Sequence, residues 1–148
     1  MPRIYSRMRE VTSEAIDANG HVSNVEYLRW MQDIAVEHSA AVGWPMDRYF
    51  HEQASWVVRS HFIEYLRPGV EGDRLWLHTW VAAMDRTRSP RRYLVRRERD
   101  GAVVARAETL WVFVHHRTGR AQTIPHALRA AFPLIPTEEE ALEEIGGG

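Results

Sequence analysis

Two periods of hydrophobicity divide this chain. Between about Asn24 and Val42, apolar residues recur at helical spacing: Leu28, Met31, Ala35 and Val42 form one stripe, and Tyr27, Trp30, Ile34 and Ala41 widen it. From Ser55 onward the period becomes two and β-branched and aromatic residues dominate, which predicts strands over Trp56–Leu66, Arg74–Met84, Arg91–Arg99 and Ala102–His115. Asp100-Gly101 between the last two is a strong hairpin signal, and Pro68-Gly69 ends the first. A looser alternation over Arg3–Val11 predicts one more strand, ahead of the helix.

Punctuation agrees with these periods. Ser23 and Glu26 have the S-x-x-E spacing of a capping box, so the helix starts near Asn24; Gly43, backed by Pro45, is a natural stop. Thr12 to Ser23 has the composition of a loop, with Ile16 pinned to the core, and Trp44 to Ala54 is a connection or short helical turn. His126 to Phe132 reads as a second short turn of helix. Residues 137–148, acidic and ending in glycine, are expected to fray.

This order predicts an α+β fold, an antiparallel sheet of about five strands wrapped around one long central helix, as a single domain over residues 1–136. A helix apolar over so much of its circumference needs to be largely enclosed. Six tryptophans, several on strands, further suggest that part of the sheet is covered by another subunit.

Composition narrows the chemistry. At 148 residues, 45% hydrophobic and 26% charged, the chain is globular, and no apolar run approaches the roughly 20 residues of a membrane span. Met1 to Val11 carries three arginines and no apolar block, unlike a signal peptide, so a cytoplasmic location is expected. Cysteine is absent, which excludes disulfides, thiolate metal sites and a cysteine nucleophile; lysine is absent too, which excludes Schiff-base chemistry. A net charge of -1 offers no global field for nucleic acid.

Candidate chemistry concentrates just before the helix. Asp17, Asn19 and His21 are spaced two apart, ahead of a helix N-terminus whose free N–H groups favour negative charge. A carboxylate able to attack or to activate water, beside oxyanion donors, suits acyl transfer. The same residues, with Gly20, also suit a plain turn. A second group, Arg86, Arg88, Arg91 and Arg92, lies at a strand junction where guanidinium groups can meet phosphates, or else line a solvated face near Asp85 and Glu98. No histidine pair has the helical spacing around a glutamate that marks a zinc hydrolase, so no metal is expected; His115 and His116 read as surface or interface residues. There is no G-x-S-x-G for a serine triad.

DANGHVSNVEYLRWM resembles the D-x-x-G-H-V-x-N-x-x-Y-L signature of hot-dog-fold thioesterases of the 4-hydroxybenzoyl-CoA thioesterase type, and is similar to the D-x-N-x-H-V-N-N-V-x-Y segment of acyl-ACP thioesterases. FIEYLRPGVEGDRL and AETLWVFVHHRTGRAQTIP continue the resemblance over about residues 3 to 136. It implies a thioesterase acting on an acyl-CoA or acyl-ACP thioester without a cofactor, as a homodimer or homotetramer with active sites shared between chains. Asp17 matches the catalytic carboxylate, as nucleophile or general base. Asn19 and His21 match its polar supports, and the helix start at Asn24 and Val25 would offer amides to the thioester carbonyl, with Tyr27 alongside the substrate. Ser23 departs from the commoner asparagine, and Arg67-Pro68-Gly69 stands where the acyl-ACP branch carries further acidic and cysteine residues. A non-hydrolytic acyl-thioester binding or scaffold protein on the same fold is the alternative.

Overall fold

The computed structural model describes residues 3–147; Met1, Pro2 and Gly148, the outermost residues of the expected domain and tail, lie outside the described residues. Among the described residues, five strands form one antiparallel sheet in the order β1 (Tyr5–Glu10), β3 (Arg74–Val81), β4 (Arg88–Arg97), β5 (Val103–His115) and β2 (Ala54–Tyr65). One long helix, α1 (Asn24–Ala41), lies against a single face of the sheet. Short helices α2 (Met46–His51) and α3 (His126–Ala131) and a terminal helix α4 (Glu138–Gly147) complete the chain.

Strand alternation builds the core. Leu75 and Leu77 of β3, Tyr93 and Val95 of β4, and Ala105 and Ala107 of β5 face Tyr27, Trp30, Met31 and Ile34 of α1. Each fully buried leucine, isoleucine, valine or methionine among them stabilises the fold by about 1.5–3 kcal/mol. Gly43, at φ +96°, turns the chain at the end of α1, and Trp44 then starts a second cluster with Tyr49, Val81, Phe113 and Phe132. At the hairpin between β4 and β5, Asp100 accepts the Ala102 N–H at 3.1 Å, and Gly101 takes the positive φ of +70° that the turn requires.

Several expectations need correcting. The sheet covers only one side of α1: Val25 and Val36 are exposed, Ala41 leaves the apolar stripe, and His38 and Ser39 enter the buried face instead. The capping box is half formed. Ser23 Oγ accepts the Val25 N–H at 3.3 Å, but Glu26 pairs with Arg29 at 2.7 Å, and the Ser23 N–H donates to the Ala15 carbonyl at 2.8 Å. β4 starts at Arg88 rather than Arg91, running through Pro90, whose carbonyl still accepts the Ala82 N–H at 2.9 Å. Where a frayed tail was expected, α4 docks on the outer face of the sheet. Ala141 is fully buried there with Trp80, Leu94 and Ile135, and Arg3 and Arg106 pair with Glu140, Glu144 and Glu138.

Candidate active site

The Asp17 turn is built by its own main chain. Ile16 and Val22 bridge as antiparallel partners, the Asp17 N–H donates to the His21 carbonyl at 2.8 Å, and Gly20 at φ +80° closes the turn onto the Asp17 carbonyl at 3.0 Å. Asp17 Oδ1 accepts the Asn19 N–H at 2.9 Å and the His21 N–H at 3.4 Å. The carboxylate is therefore held by backbone donors of Asn19 and His21, and Oδ2 has no hydrogen bond among the described residues. Asp17, Asn19, His21 and Asn24 are all exposed, immediately before the first turn of α1.

A second segment fixes this turn from below. The Val22 N–H donates to the Gly69 carbonyl at 2.8 Å, and a Cβ at Gly69 would lie 2.9 Å from both Tyr27 Oη and Val22 Cγ2. Only glycine fits this approach without displacing its neighbours. Tyr27 is thus a core residue, not a surface for substrate as the sequence suggested: it is 3% exposed and packs edge-on to Trp30. Burial pushes its phenol up to about 12. Val25 is exposed beside it, and Tyr65, at the end of β2, donates to the Asn24 carbonyl at 3.3 Å.

The four candidate arginines do not form one patch. Arg86 and Arg88 are exposed. Arg92 is half-buried, donating to the Pro136 carbonyl at 2.9 Å and lying 3.7 Å from Glu108. Arg91 points to the other face of β4 and is 6% exposed. Its Nη1 donates to His38 Nδ1 at 2.8 Å and to Thr79 Oγ1 at 3.1 Å. Strand alternation carries a signal for this placement, because position 91 shares its face with the core residues Tyr93 and Val95.

Arg91 lines a cavity of about 430 Å³, within the range of small-molecule sites. The cavity lies between the second half of α1 and the sheet, walled by Ala35, Ala54, Trp56, Val81, Met84 and Phe132. Its exposed rim includes Val36, Met46, Phe50 and His116. Sequence reasoning missed it, because a void between packed elements leaves no periodic mark.

Residues 2–132 match the acyl-ACP thioesterase N-terminal domain. The chain belongs to that family. Curated relatives include the chloroplastic dodecanoyl-[acyl-carrier-protein] hydrolase of Umbellularia californica, 25% identical over 132 residues, covering 85% of this chain and 35% of the relative. The chloroplastic palmitoyl-acyl carrier protein thioesterase of Gossypium hirsutum is 24% identical over 148 residues, covering 95% of this chain and 36% of its own length. This member of the acyl-ACP thioesterase family thus spans about a third of the curated relatives it matches.

Solved structures establish the hot-dog fold. A Staphylococcus aureus protein in complex with CoA superimposes with a TM-score of 0.83 at 19% identity, over 93% of this chain and 91% of that one. The 1,4-dihydroxy-2-naphthoyl-CoA thioesterase of Synechocystis gives 0.79 at 16% identity, over 86% and 94%. The 12:0-ACP thioesterase of Umbellularia californica gives 0.79 at 23% identity, over 93% of this chain and 54% of that one.

Proposed function

We propose that this acyl-ACP thioesterase family member hydrolyses an acyl-CoA or acyl-ACP thioester to the free acid and thiol, with Asp17 as the reacting carboxylate. The observation that carries this reading is the Asp17 turn: two main-chain N–H groups fix Oδ1, while Oδ2 stays available at the positive end of α1. As a general base, Asp17 takes a proton from water as its oxygen attacks the thioester carbon. The helix-start amide of Asn24 stabilises the developing oxyanion, and collapse of the adduct expels the thiolate, which takes up the proton. As a nucleophile, Asp17 would instead form a mixed anhydride that water cleaves. The exposed Arg86 and Arg88 suit the phosphates of CoA or of a carrier's phosphopantetheine.

The reading includes a homodimer with shared sites. Asn24 and Ala35 are eleven residues apart on α1, or about 16 Å at the helical rise, so the turn and the cavity of one chain are well separated. β2 is an edge strand with Val57, Phe62 and Tyr65 exposed. Its first residues, Ala54 to Trp56, wall the cavity, and its last, Tyr65, touches Asn24. Antiparallel pairing of β2 with β2 of a second copy would bring each cavity beside the other copy's Asp17 turn, and would cover an otherwise open sheet edge.

Thiol release from a panel of acyl-CoA, aryl-CoA and acyl-ACP thioesters tests the reading. Asp17→Asn retains the Oδ1 acceptor and removes the charge, so the expected loss is about 10²- to 10⁴-fold with the fold unchanged. A well-folded, fully active Asp17→Asn variant overturns the role of Asp17. Tight binding without hydrolysis by the wild-type chain would replace the reading with the non-hydrolytic one.

A further inference from the structure

β4 carries two buried arginines on the same face, and they are not treated alike. Arg97, 8% exposed, places its Nε and Nη2 against the two carboxylate oxygens of Asp100 at 3.1 and 2.8 Å. This is the side-on, two-point grip that a guanidinium offers an acid. Arg91, 6% exposed, has no such partner: among the described residues no carboxylate pairs with it. Both N–H groups of its Nη1 are spent on the neutral acceptors His38 and Thr79. The Nε–Nη2 edge, with its parallel N–H groups, makes no hydrogen bond among the described residues.

A buried cation without a counter-charge is costly, by several kcal/mol. Here it stands in the wall of a cavity where Ser39, Tyr49, Trp56 and Ser89 are bonded to one another or to the main chain, and where the other buried polar atom left without a partner among the described residues is the uncharged indole Nε1 of Trp111. Ser39 donates to the Trp44 carbonyl at 2.8 Å and lies 2.7 Å from Tyr49 Oη, which accepts the Trp56 indole N–H at 3.1 Å; Ser89 donates to the Ala83 carbonyl at 3.0 Å. The rest of the lining is mostly aliphatic or aromatic, and Phe132 lies 5.5 Å below the Arg91 guanidinium. The cavity is therefore greasy along its walls and cationic at one deep point. A plain alkyl chain would leave that point unpaired.

We propose that Arg91 selects acyl groups whose far end carries a carboxylate, making the preferred substrate the thioester of a dicarboxylic acid. The inference rests on the thioester-hydrolase reading for its substrate but not for its binding chemistry. The free edge of Arg91 would hold the terminal carboxylate as Arg97 holds Asp100, while the methylenes fill the apolar walls. His38 and Thr79 fix the plane of the guanidinium and so position it.

Two measurements separate this inference from the one beneath it. Acyl-CoA thioesters from hexanoyl to hexadecanoyl are each compared with their ω-carboxylated counterparts. The wild-type chain is expected to favour the carboxylated member by at least about tenfold in kcat/KM at the best length, equivalent to ~1.4 kcal/mol. Arg91→Met is expected to reverse that order, with the loss largely in KM. Independently of hydrolysis, monomethyl dodecanedioate should raise the wild-type melting temperature above the effect of the dimethyl ester. That difference should vanish in Arg91→Lys, which keeps a charge but loses the two-donor edge. If methyl-ended thioesters are preferred and the two esters stabilise equally, the role of Arg91 is overturned while the hydrolase reading stands. If no thioester is cleaved but the monomethyl ester still binds through Arg91, the hydrolase reading falls and the anion site remains.

Discussion

The guanidinium of Arg91 donates to Nδ1 of His38 at 2.8 Å, which commits His38 to the neutral ring. A protonated Nδ1 has no lone pair to offer. Burial, and then the Arg91 charge, lower His38 from 6.5 to about 3; Tyr5 from β1 and Phe132 pack on its ring. His78 is similarly lowered to about 4, by burial and Arg96. Both folded values lie below the unfolded one, so the unfolded chain binds more protons between 6.5 and these values. Stability is therefore complete above about pH 6.5 and falls as pH drops, by up to ~1.4 kcal/mol per pH unit for each ring. Urea unfolding at about pH 7, 6 and 5 should show this slope. His38→Gln, which keeps an oxygen for Arg91 and removes the titration, should reduce it by about one proton. An unchanged slope would exclude His38 as a source.

Gly69 is a separate point of tension, steric rather than electrostatic. Its Cβ would fall 2.9 Å from Val22 Cγ2, a side chain with little rotamer freedom, and 2.9 Å from Tyr27 Oη. Gly69→Ala is expected to lower stability by about 1–3 kcal/mol through overpacking. It should also disturb the Asp17 turn, because Val22 hangs from the Gly69 carbonyl. Adding Tyr27→Phe removes one of the two clashes, and the double variant should recover part of the loss in melting temperature. No recovery would mean that Val22 alone sets the limit.

Much of this architecture was legible from residue order. Ser23 and Gly43 bracket α1 within a residue, and Asp100-Gly101 marks the β4–β5 hairpin, because caps and tight turns are solved locally. Other features depend on distant partners and were not. Arg91 reads as one of a surface cluster until the alternation of β4 is taken seriously, and Pro90 obscured where that strand begins. The acidic α4 is ordinary by composition; only the outer sheet face at Trp80 and Leu94 gives Ala141 something to bury against. The Asp17 constellation was visible as a set of residue types. That its support comes from the main-chain N–H groups of Asn19 and His21, not their side chains, required the geometry.

The Asp17 carboxylate carries a structural duty that can be separated from its proposed chemistry. Asp17→Ala removes the acceptor of two N–H groups at an exposed turn, for an expected cost of about 0.5–2 kcal/mol, whereas Asp17→Asn keeps it. Thermal unfolding should rank the wild type and Asp17→Asn together, above Asp17→Ala. Thioester hydrolysis should instead group both variants together as defective. Equal melting temperatures for all three would show that the turn is held by its backbone bridges alone.

The edge strand β2 supplies the last test, because the proposed dimer would link assembly to activity through it. Phe62 is 63% exposed and Val57 44% exposed on a strand that, among the described residues, has a neighbour on one side only. If two copies pair along this edge, Phe62→Arg places like charges close to the dyad, and the expected result in sedimentation velocity is a shift from dimer toward monomer. The single chain retains its own cores, so its circular dichroism should be unchanged, since Phe62 belongs to none of them. Hydrolysis should fall with the dimer fraction and recover at high protein concentration, as mass action requires. A wild-type monomer with full activity would overturn the shared site, and would require an acyl chain to reach the cavity of its own subunit across the length of α1.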